Sequence, residues 1–486
     1  MRKAHNRVTI EWGRFKYNET KPREAFVTAI SECATKEGSA MVKMIKDEPN
    51  RITDLFIDKT VLITGGTGFL GKVLIEKLLR CCLGLKKIYM IVRPKKGKTV
   101  HDRMEEMFDG PLFELVKKQQ GKSIFAKVEA IPGDISAPDL DISESDRERL
   151  TEEVQFIYHS AATVKFDEKF KTAVLLNVRG TKLMLDLAKQ CKNLMIFCHL
   201  STAYCHEEQD VLHETIYPPP TNPHRVIEMA EWLDEATLEV ISTRIRGKSA
   251  NNYTFTKALG EGLVNEQMDK LPVIIQRPSA VIPILIEPIP GWTDNINGPT
   301  GLLIGAGKGE ILDIGRKVII NTPFNWVLWY PGGSMNQSRL VHNISFFLFQ
   351  LLPAIFIDAL LILLGFKPVL LRVQRRIARG YEIFEYYANR KWNFRKDQAK
   401  FSRQIFNAKE KAMFEVDPPK PDYFQYFTDC TRGARLYILK EADEDLPLAR
   451  KHMKVMWCVD KLCKLLMVFG LLYYVINKVF VPLFVK

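Results

Sequence analysis

The chain has 486 residues, 46% of them hydrophobic and 26% charged, which is long enough for two or three domains and excludes collagenous, fibrous and disordered classes. Its net charge of +13 calls for an anionic partner; with no zinc-ligand spacing, RNA-binding aromatic signature or basic arm, we expect a cofactor or a membrane surface, and neither nucleic acid nor metal. Nine cysteines without paired spacing give no disulfide framework and point to a reducing compartment.

Residues 1–51 hold no apolar core of a secretory signal. They read as a leader or loosely ordered arm, with a helix expected over 23–44. The stretch Lys59–Gly71, KTVLITGGTGFLG, is different in kind. An apolar run ending at Thr64 reads as a buried strand, which breaks into a glycine turn and then an amphipathic helix opening at Phe69 and Leu70. Gly65, Gly68 and Gly71, spaced by three, allow a tight turn, close approach of backbone to a pyrophosphate, and packing of helix on sheet. The first turn of the helix offers N–H groups and a positive dipole end to phosphates. Glycines also mark ordinary turns; the strand before and the helix after make dinucleotide binding the stronger reading.

Downstream, strand-like and helix-like runs alternate, which predicts strands over 60–64, 87–92, 126–131, 154–159, 194–201 and 272–276 joined by crossover helices. The fold class is α/β, a doubly wound parallel sheet. Arg93, followed by Pro94, Lys95 and Lys96, ends the second strand where an NAD site places an acidic residue on the ribose. Arginine there favours a 2′-phosphate and hence NADPH; a solvated basic turn is the plainer alternative. Asp134 and Ile135 close the third strand, and Ser160, Ala161 and Ala162 the fourth. Asp134 is suited to accept from an adenine amine, and the two alanines are small enough to let a cofactor pass. His159 reads as a packed residue without chemistry.

The fifth strand runs into Ser201 and Thr202, and about fifty residues on comes Tyr253-Thr254-Phe255-Thr256-Lys257. Tyr253 and Lys257 are one helical turn apart and share a face. A lysine beside a phenol favours the phenolate, so we expect the Tyr253 pKa to fall toward neutrality and the phenol to protonate a carbonyl that receives hydride. Thr202, with Ser201 as its stand-in, would hold the carbonyl oxygen. A tyrosine four residues before a lysine is common by chance; its place after a glycine turn and a Ser-Thr strand end gives it weight.

TGGTGFLG, the Ser-Thr strand end and Tyr253 with Lys257 resemble an extended short-chain dehydrogenase/reductase. KTVLITGGTGFLGKVLIEKLLR, IYMIVRPKKGK, HSAATVKFDE, NVRGT, LSTAYC, NNYTFTKALGE and QRPSAV resemble, more closely, the alcohol-forming fatty acyl-CoA reductases. WYPGG, RVQRRI, NRKWNF and the ARKHMK segment are similar to that family's C-terminal domain, so the likeness runs from about Thr53 to Leu465. It implies NADPH-dependent reduction of a long-chain acyl-CoA to a primary alcohol and free CoA through a bound aldehyde. It also implies residue roles. Thr64, Gly65, Gly68, Phe69, Leu70, Gly71, Arg93, Asp134, Ile135, Ala161 and Ala162 hold the cofactor together with Tyr253 and Lys257. Tyr253, Lys257, Thr202 and Ser201 carry the chemistry, and Arg277-Pro278-Ser279 opens the substrate side. The implied domains are an arm (1–51), a reductase domain (52–317), an apolar connection (318–366), a helical C-terminal domain (367–464) and an anchor (465–485). Family members continue for several tens of residues after NGPTGLLIGAGKGEILDIGRK, whereas this chain passes directly into VIINTPFNWVLWYPGG. The join near Lys317 reads as an internal deletion.

Two apolar stretches suggest membrane lipid as a partner. Ser345–Phe366 is long enough to cross a hydrocarbon core of about 30 Å, but it contains Gln350, Pro353 and Asp358. A span, an interfacial hairpin and a buried acyl-channel helix remain open for it. Arg372, Arg375, Arg376 and Arg379 follow on an expected helix, suited to anionic headgroups or to plain solvation. Leu465–Val485, preceded by Lys451, Lys454, Lys461 and Lys464, reads as a tail anchor with the catalytic domain cytosolic, at the endoplasmic reticulum or peroxisome. A homo-oligomer is compatible with the sequence. Two other readings stand beside the acyl-CoA reductase: a membrane member of the superfamily acting on another lipid carbonyl, such as a hydroxysteroid, and a truncated form that only binds cofactor.

Overall fold

The structure, a computed structural model, describes residues 50–94, 97–294, 309–327, 330–331, 338–375, 378, 386–387, 390–418 and 420–477. The N-terminal arm, Lys95, Lys96, Arg376, Arg379 and the end of the expected tail anchor from residue 478 lie outside the described residues. The chain divides into two compact units: residues up to Ser279 with Trp392–Pro419, and Ala280–Lys391 with the residues from Lys420.

The first unit is built on six parallel strands: β1 (Thr60–Thr64), β2 (Lys87–Val92), β3 (Val128–Pro132), β4 (Phe156–His159), β5 (Ile196–Leu200) and, after a short β6 (Val211–Leu212), β7 (Val273–Gln276). Their order is β3-β2-β1-β4-β5-β7, with registers such as Thr64 on Ile91 and Thr64 on His159. This is the doubly wound arrangement expected from the alternating pattern. Every residue of β1 is buried and all but the first of β2, as a parallel strand covered by helices on both faces requires. β3 starts two residues later than the sequence suggests because 3₁₀ geometry takes Lys122–Lys127. β4 is delayed likewise, since the Val154 N–H closes the helix Glu144–Glu153 on Leu150 O.

Helices Phe69–Cys81, Val100–Phe108, Glu144–Glu153, Gly180–Gln190, Pro223–Trp232, Glu235–Arg246 and Asn252–Asn265 surround the sheet. The last of these is buried at every position from Thr254 to Val264. Phe255, Leu259 and Leu263 join Leu62, Ile157, Phe170 and Phe197 in the core, each worth about 1.5–3 kcal/mol by burial. Its N-cap is Asn251, whose side chain accepts from the Thr254 N–H at 3.0 Å. That cap satisfies an orphan donor and fixes where Tyr253 leaves the helix.

Trp392–Pro419 returns to the same unit. β8 (Asn393–Phe394) pairs in parallel with β6, and Glu214 accepts the backbone N–H groups of Gln398 (2.6 Å) and Ala399 (3.0 Å), capping the helix Asp397–Ile405. Arg51 reaches both oxygens of the buried Glu410, at 3.1 and 2.7 Å.

In the second unit, helices Gly309–Asn321, Tyr423–Gly433 and Leu446–Val475 are joined by a continuous apolar helix, 21 residues from Asn343 to Leu363. Asp358, which the sequence marks as costly inside an apolar run, is 2% exposed. Its carboxylate accepts three backbone N–H groups, from Val369 (3.0 Å), Leu370 (2.9 Å) and Leu371 (2.9 Å). It therefore caps the next helix across a turn at Gly365. Deeper in the unit the fully buried Arg435 is paired with Glu441 at 3.0 Å and donates to Ala442 O, as a buried charge must be.

Candidate active site

Parallel strands bring the carboxyl ends of β1, β4 and β5 side by side, and the predicted residues gather there. Gly65 leaves β1 with φ +72°, and a Cβ at this position would lie 2.8 Å from Ala161 N at the end of β4. A Cβ on Gly71 would lie 2.3 Å from Gly65 O. The turn and the helix Phe69–Cys81 therefore pack backbone to backbone, and the N-cap Gly68 brings no side chain over the helix end. Thr64 Oγ1 lies 2.8 Å from His159 Nδ1 and accepts from Ala161 N at 3.2 Å. His159 Nε2 lies 3.1 Å from Thr181 Oγ1. Burial, then the nearby Lys257 charge, lowers His159 to a pKa of about 3; it is a neutral link between strand ends.

At the end of β2, Arg93 is 69% exposed with its guanidinium 3.6 Å from Asp134. Asp134 also accepts from the Ser136 N–H and hydroxyl at 2.9 and 2.7 Å. Sequence reasoning passed over Arg103. Its guanidinium donates to Arg93 O and, at 3.2 Å, to Thr67 Oγ1 in the glycine turn. The available signal was the capping box of Thr99 and Asp102, which starts a helix just past β2 and sets Arg103 on its first turn.

The Thr202 side chain acts on the Tyr253 phenol, opposing the rise of its pKa, and the Phe166 ring stands edge-on to Tyr253 at 5.8 Å. Ser201, the stand-in for Thr202, faces the other way, toward Cys205 at 3.8 Å and toward Glu261, as successive residues of extended backbone do. The expected fall of the Tyr253 pKa is not what the structure holds. Burial, then Cys205, pushes the phenol up to about 12 against the opposing effect of Thr202. Lys257 yields instead: 3% exposed, it donates to Leu200 O at 2.6 Å, and burial lowers it to about 8. Desolvation outweighs the phenol–ammonium attraction that spacing alone suggested.

Arg277, which the resemblance places at the substrate side, is held by Glu261, which accepts from Nε at 2.8 Å and from Nη2 at 2.7 Å. Cys205, His206 and Glu261 have ligand atoms within 4.8 Å of one another, the spacing of a metal site, yet both Glu261 oxygens already meet the guanidinium, which fills the place of a cation. Tyr204, two residues past Thr202, is gripped edge-on by Trp392 (4.9 Å) and Phe394 (5.5 Å). NRKWNF, which the sequence assigned to the C-terminal domain, thus contributes Trp392 and Phe394 to this unit.

Two family models match the chain, both described as male sterility protein: a NAD-binding one over residues 63–328 and the Sterile one over 349–441. Fatty acyl-CoA reductase 1 from Rattus norvegicus is 32% identical over 459 positions, covering 83% of this chain and 89% of that protein. The Homo sapiens protein of that name is 32% identical with the same coverage, and fatty acyl-CoA reductase wat from Drosophila melanogaster is 32% identical over 85% and 90%. Since 83% of 486 residues is about 403, about 56 of the 459 positions aligned with the rat protein have no counterpart here. The likeness to solved structures is looser. A reductase domain of a nonribosomal peptide synthetase from Mycobacterium tuberculosis is 26% identical over 49% of this chain and 54% of that one, with a TM-score of 0.34, so the fold assignment rests on the strand order.

Proposed function

Because the chain belongs to the fatty acyl-CoA reductase family, we propose that it reduces a long-chain fatty acyl-CoA to the primary alcohol and free CoA, with NADPH as reductant and the aldehyde kept bound between two reductions. The observation that carries this reading is Tyr253 on the helix that packs under β5, one turn before the buried Lys257, whose ammonium donates to Leu200 O at the end of β5, on the same sheet edge as the glycine turn.

The residues present fit a dinucleotide phosphate, since Gly65 and Gly71 let the turn fold tightly between the end of β4 and the helix Phe69–Cys81, and the N-cap Gly68 brings no side chain over the helix's first N–H groups. NADPH, when bound, supplies one hydride for each reduction. Gly65, Gly68 and Gly71 let the turn approach the pyrophosphate at the start of the helix Phe69–Cys81, where Phe69 and Leu70 form the first turn. Thr64, Ile135, Ala161 and Ala162 lie at the strand ends, and the Asp134 carboxylate would accept from the adenine amine. Thr202 donates to the carbonyl oxygen as charge develops on it. Tyr253 gives that oxygen its proton; a phenol held near 12 is fully protonated at pH 7 and more acidic than an aliphatic alcohol. Lys257, as a cation, stabilises the phenolate left behind.

The direct test is product analysis. Membranes containing the protein, given long-chain acyl-CoA and NADPH, should yield fatty alcohol; reduction of a hydroxysteroid's ketone without alcohol from acyl-CoA would overturn the assignment. Cofactor specificity is tested separately. Arg93 and Arg103 together form the candidate 2′-phosphate site, and a charge-assisted hydrogen bond is worth about 1.5–3 kcal/mol. Arg93→Ala should therefore weaken NADPH roughly tenfold or more and leave NADH nearly unchanged, with Arg103→Ala acting in the same direction. Equal losses for both cofactors would remove the assignment.

Membrane contact is the second part of the reading. Around the hairpin turn Leu363, Leu364 and Phe366 are 81%, 70% and 63% exposed, and Arg372 and Arg375 follow them. With the Asp358 carboxylate satisfied inside the hairpin, its tip suits the hydrocarbon of a bilayer and the arginines its anionic headgroups. The catalytic unit then faces the cytosol, at the endoplasmic reticulum or peroxisome. Full-length protein should float with phosphatidylserine vesicles, and Leu363→Asp with Phe366→Asp should cut the floating fraction severalfold. Undiminished flotation of that double variant would show that the hairpin is not what enters the lipid.

A further inference from the structure

The helix face that carries Tyr253 and Lys257 continues one turn on to Glu261, and no role has been given to that residue. It is fully buried. Four donors converge on its two oxygens: Arg277 Nε at 2.8 Å and Cys205 Sγ at 3.3 Å on Oε1, Arg277 Nη2 at 2.7 Å and His206 Nε2 at 3.1 Å on Oε2. Since a carboxylate only accepts, His206 carries its proton on Nε2. Burial pushes the Glu261 pKa up, but the hydrogen bonds from Arg277 and His206 overcome this and hold the carboxyl well below its usual range.

These contacts join three parts of the chain. Glu261 stands on the helix of Tyr253, Arg277 follows β7, and Cys205 and His206 follow Thr202 in the loop after β5. Arg277 extends the tie by donating through Nη1 to Thr215 O (2.8 Å) and His213 O (3.3 Å), and its guanidinium lies 5.6 Å from the Tyr217 ring centre.

The groups facing Lys257 can be named. From β4 and β5 come His159 and His199, both held neutral by burial and then by the lysine's own charge. From the loop after β5 comes Cys205, whose thiol burial and then Glu261 keep protonated at neutral pH. On its own helix stand Tyr253, an uncharged phenol at that pH, and Glu261. Glu261 is therefore the one anion, among the described residues that interact with Lys257, present at pH 7 to oppose the desolvation of its ammonium group.

We propose that Glu261 is a positioning residue for the Tyr253–Lys257 pair: clamped by Arg277 and His206, its carboxylate keeps the buried Lys257 charged and ties the Thr202 loop to the helix of Tyr253. The inference rests on the reductase reading for its functional meaning, though not for its test. Two substitutions change the charge facing Lys257 in opposite directions. Glu261→Gln keeps the shape and removes the anion; Arg277→Met removes the competing cation and leaves the anion.

Competitive acetylation across pH 6 to 11, read by peptide mass spectrometry, gives the Lys257 ionisation directly in the full-length protein and needs no turnover. Glu261→Gln should lower the Lys257 pKa by about one unit, and Arg277→Met should raise it. The alkaline limb of kcat/KM for acyl-CoA should move the same way in each variant. A merely structural Glu261 would lower activity without moving either quantity. NADPH binding at the wild-type Kd identifies variants that fold, and if Glu261→Gln does not fold, the opposite sign expected of Arg277→Met carries the test. An unchanged Lys257 pKa in the folded variants overturns the proposal. A wild-type protein that makes no alcohol defeats the reductase reading alone, because the acetylation result stands by itself.

Discussion

Tyr253→Phe should leave NADPH binding unchanged and cut fatty alcohol formation by two or more orders of magnitude, the range for loss of a general acid. The substitution removes only a hydroxyl. The ring keeps its edge contact with Phe166, and the helix cap at Asn251 does not involve the phenol, so the fold has no reason to change. Because the phenol is pushed up to about 12, the alkaline fall of wild-type activity should follow Lys257, near 8, and not the tyrosine. The sign follows from the charge: the cation is required, and it is lost as pH rises through that value. Near-normal alcohol formation by the phenylalanine variant would mean that another group gives up the proton.

Inserting, at the join near Lys317, the intervening segment that the sequence reading expects of the family should raise acyl-CoA reduction about a hundredfold while leaving NADPH affinity as it is. The sheet from β1 to β7 has all its strands and registers, so the cofactor half has no need of the segment. Positioning of the thioester carbon is far less forgiving, and a misplacement of about 1 Å can cost roughly a hundredfold in rate. About 56 positions of the rat relative lack a counterpart in this chain, enough for several elements that would support an acyl site. The comparison needs both forms at equal level in the same membranes, with alcohol as the readout. Equal rates would show that the shorter chain builds a complete acyl site unaided.

What the sequence revealed and what it hid divide along a physical line. β1 and β2 were legible to the residue because both are short apolar runs bounded by turns, a local pattern. The glycine turn was legible because its constraint is steric and local: Gly65 and Gly71 have no room for a Cβ. Pairings between distant segments were not. β6 and β8 are two residues each, too short for any periodicity, and they find each other only after the sheet exists. The Tyr253 pKa was misjudged because burial is a tertiary quantity that outweighs a neighbour four residues away. Arg277 looked like a site residue since it follows a strand end, and only the packed structure reveals Glu261 beneath it. Asp358 looked like a fault in a membrane span until its partners, the N–H groups of residues 369–371, were in place.

The return of Trp392–Pro419 has a consequence for how the protein is made. Between Leu212 and its β8 partner Phe394 lie 181 residues, which a ribosome adds in roughly ten to forty seconds at 5–20 residues per second. From the completion of β7 at Gln276 until β8 is made, the nascent reductase unit has its sheet but lacks the strand on β6, the rings that grip Tyr204 and the helix that Glu214 caps. Emerging chains stalled before residue 392 should therefore be cleaved by protease near residues 204–214, and those extended past 419 should be protected there.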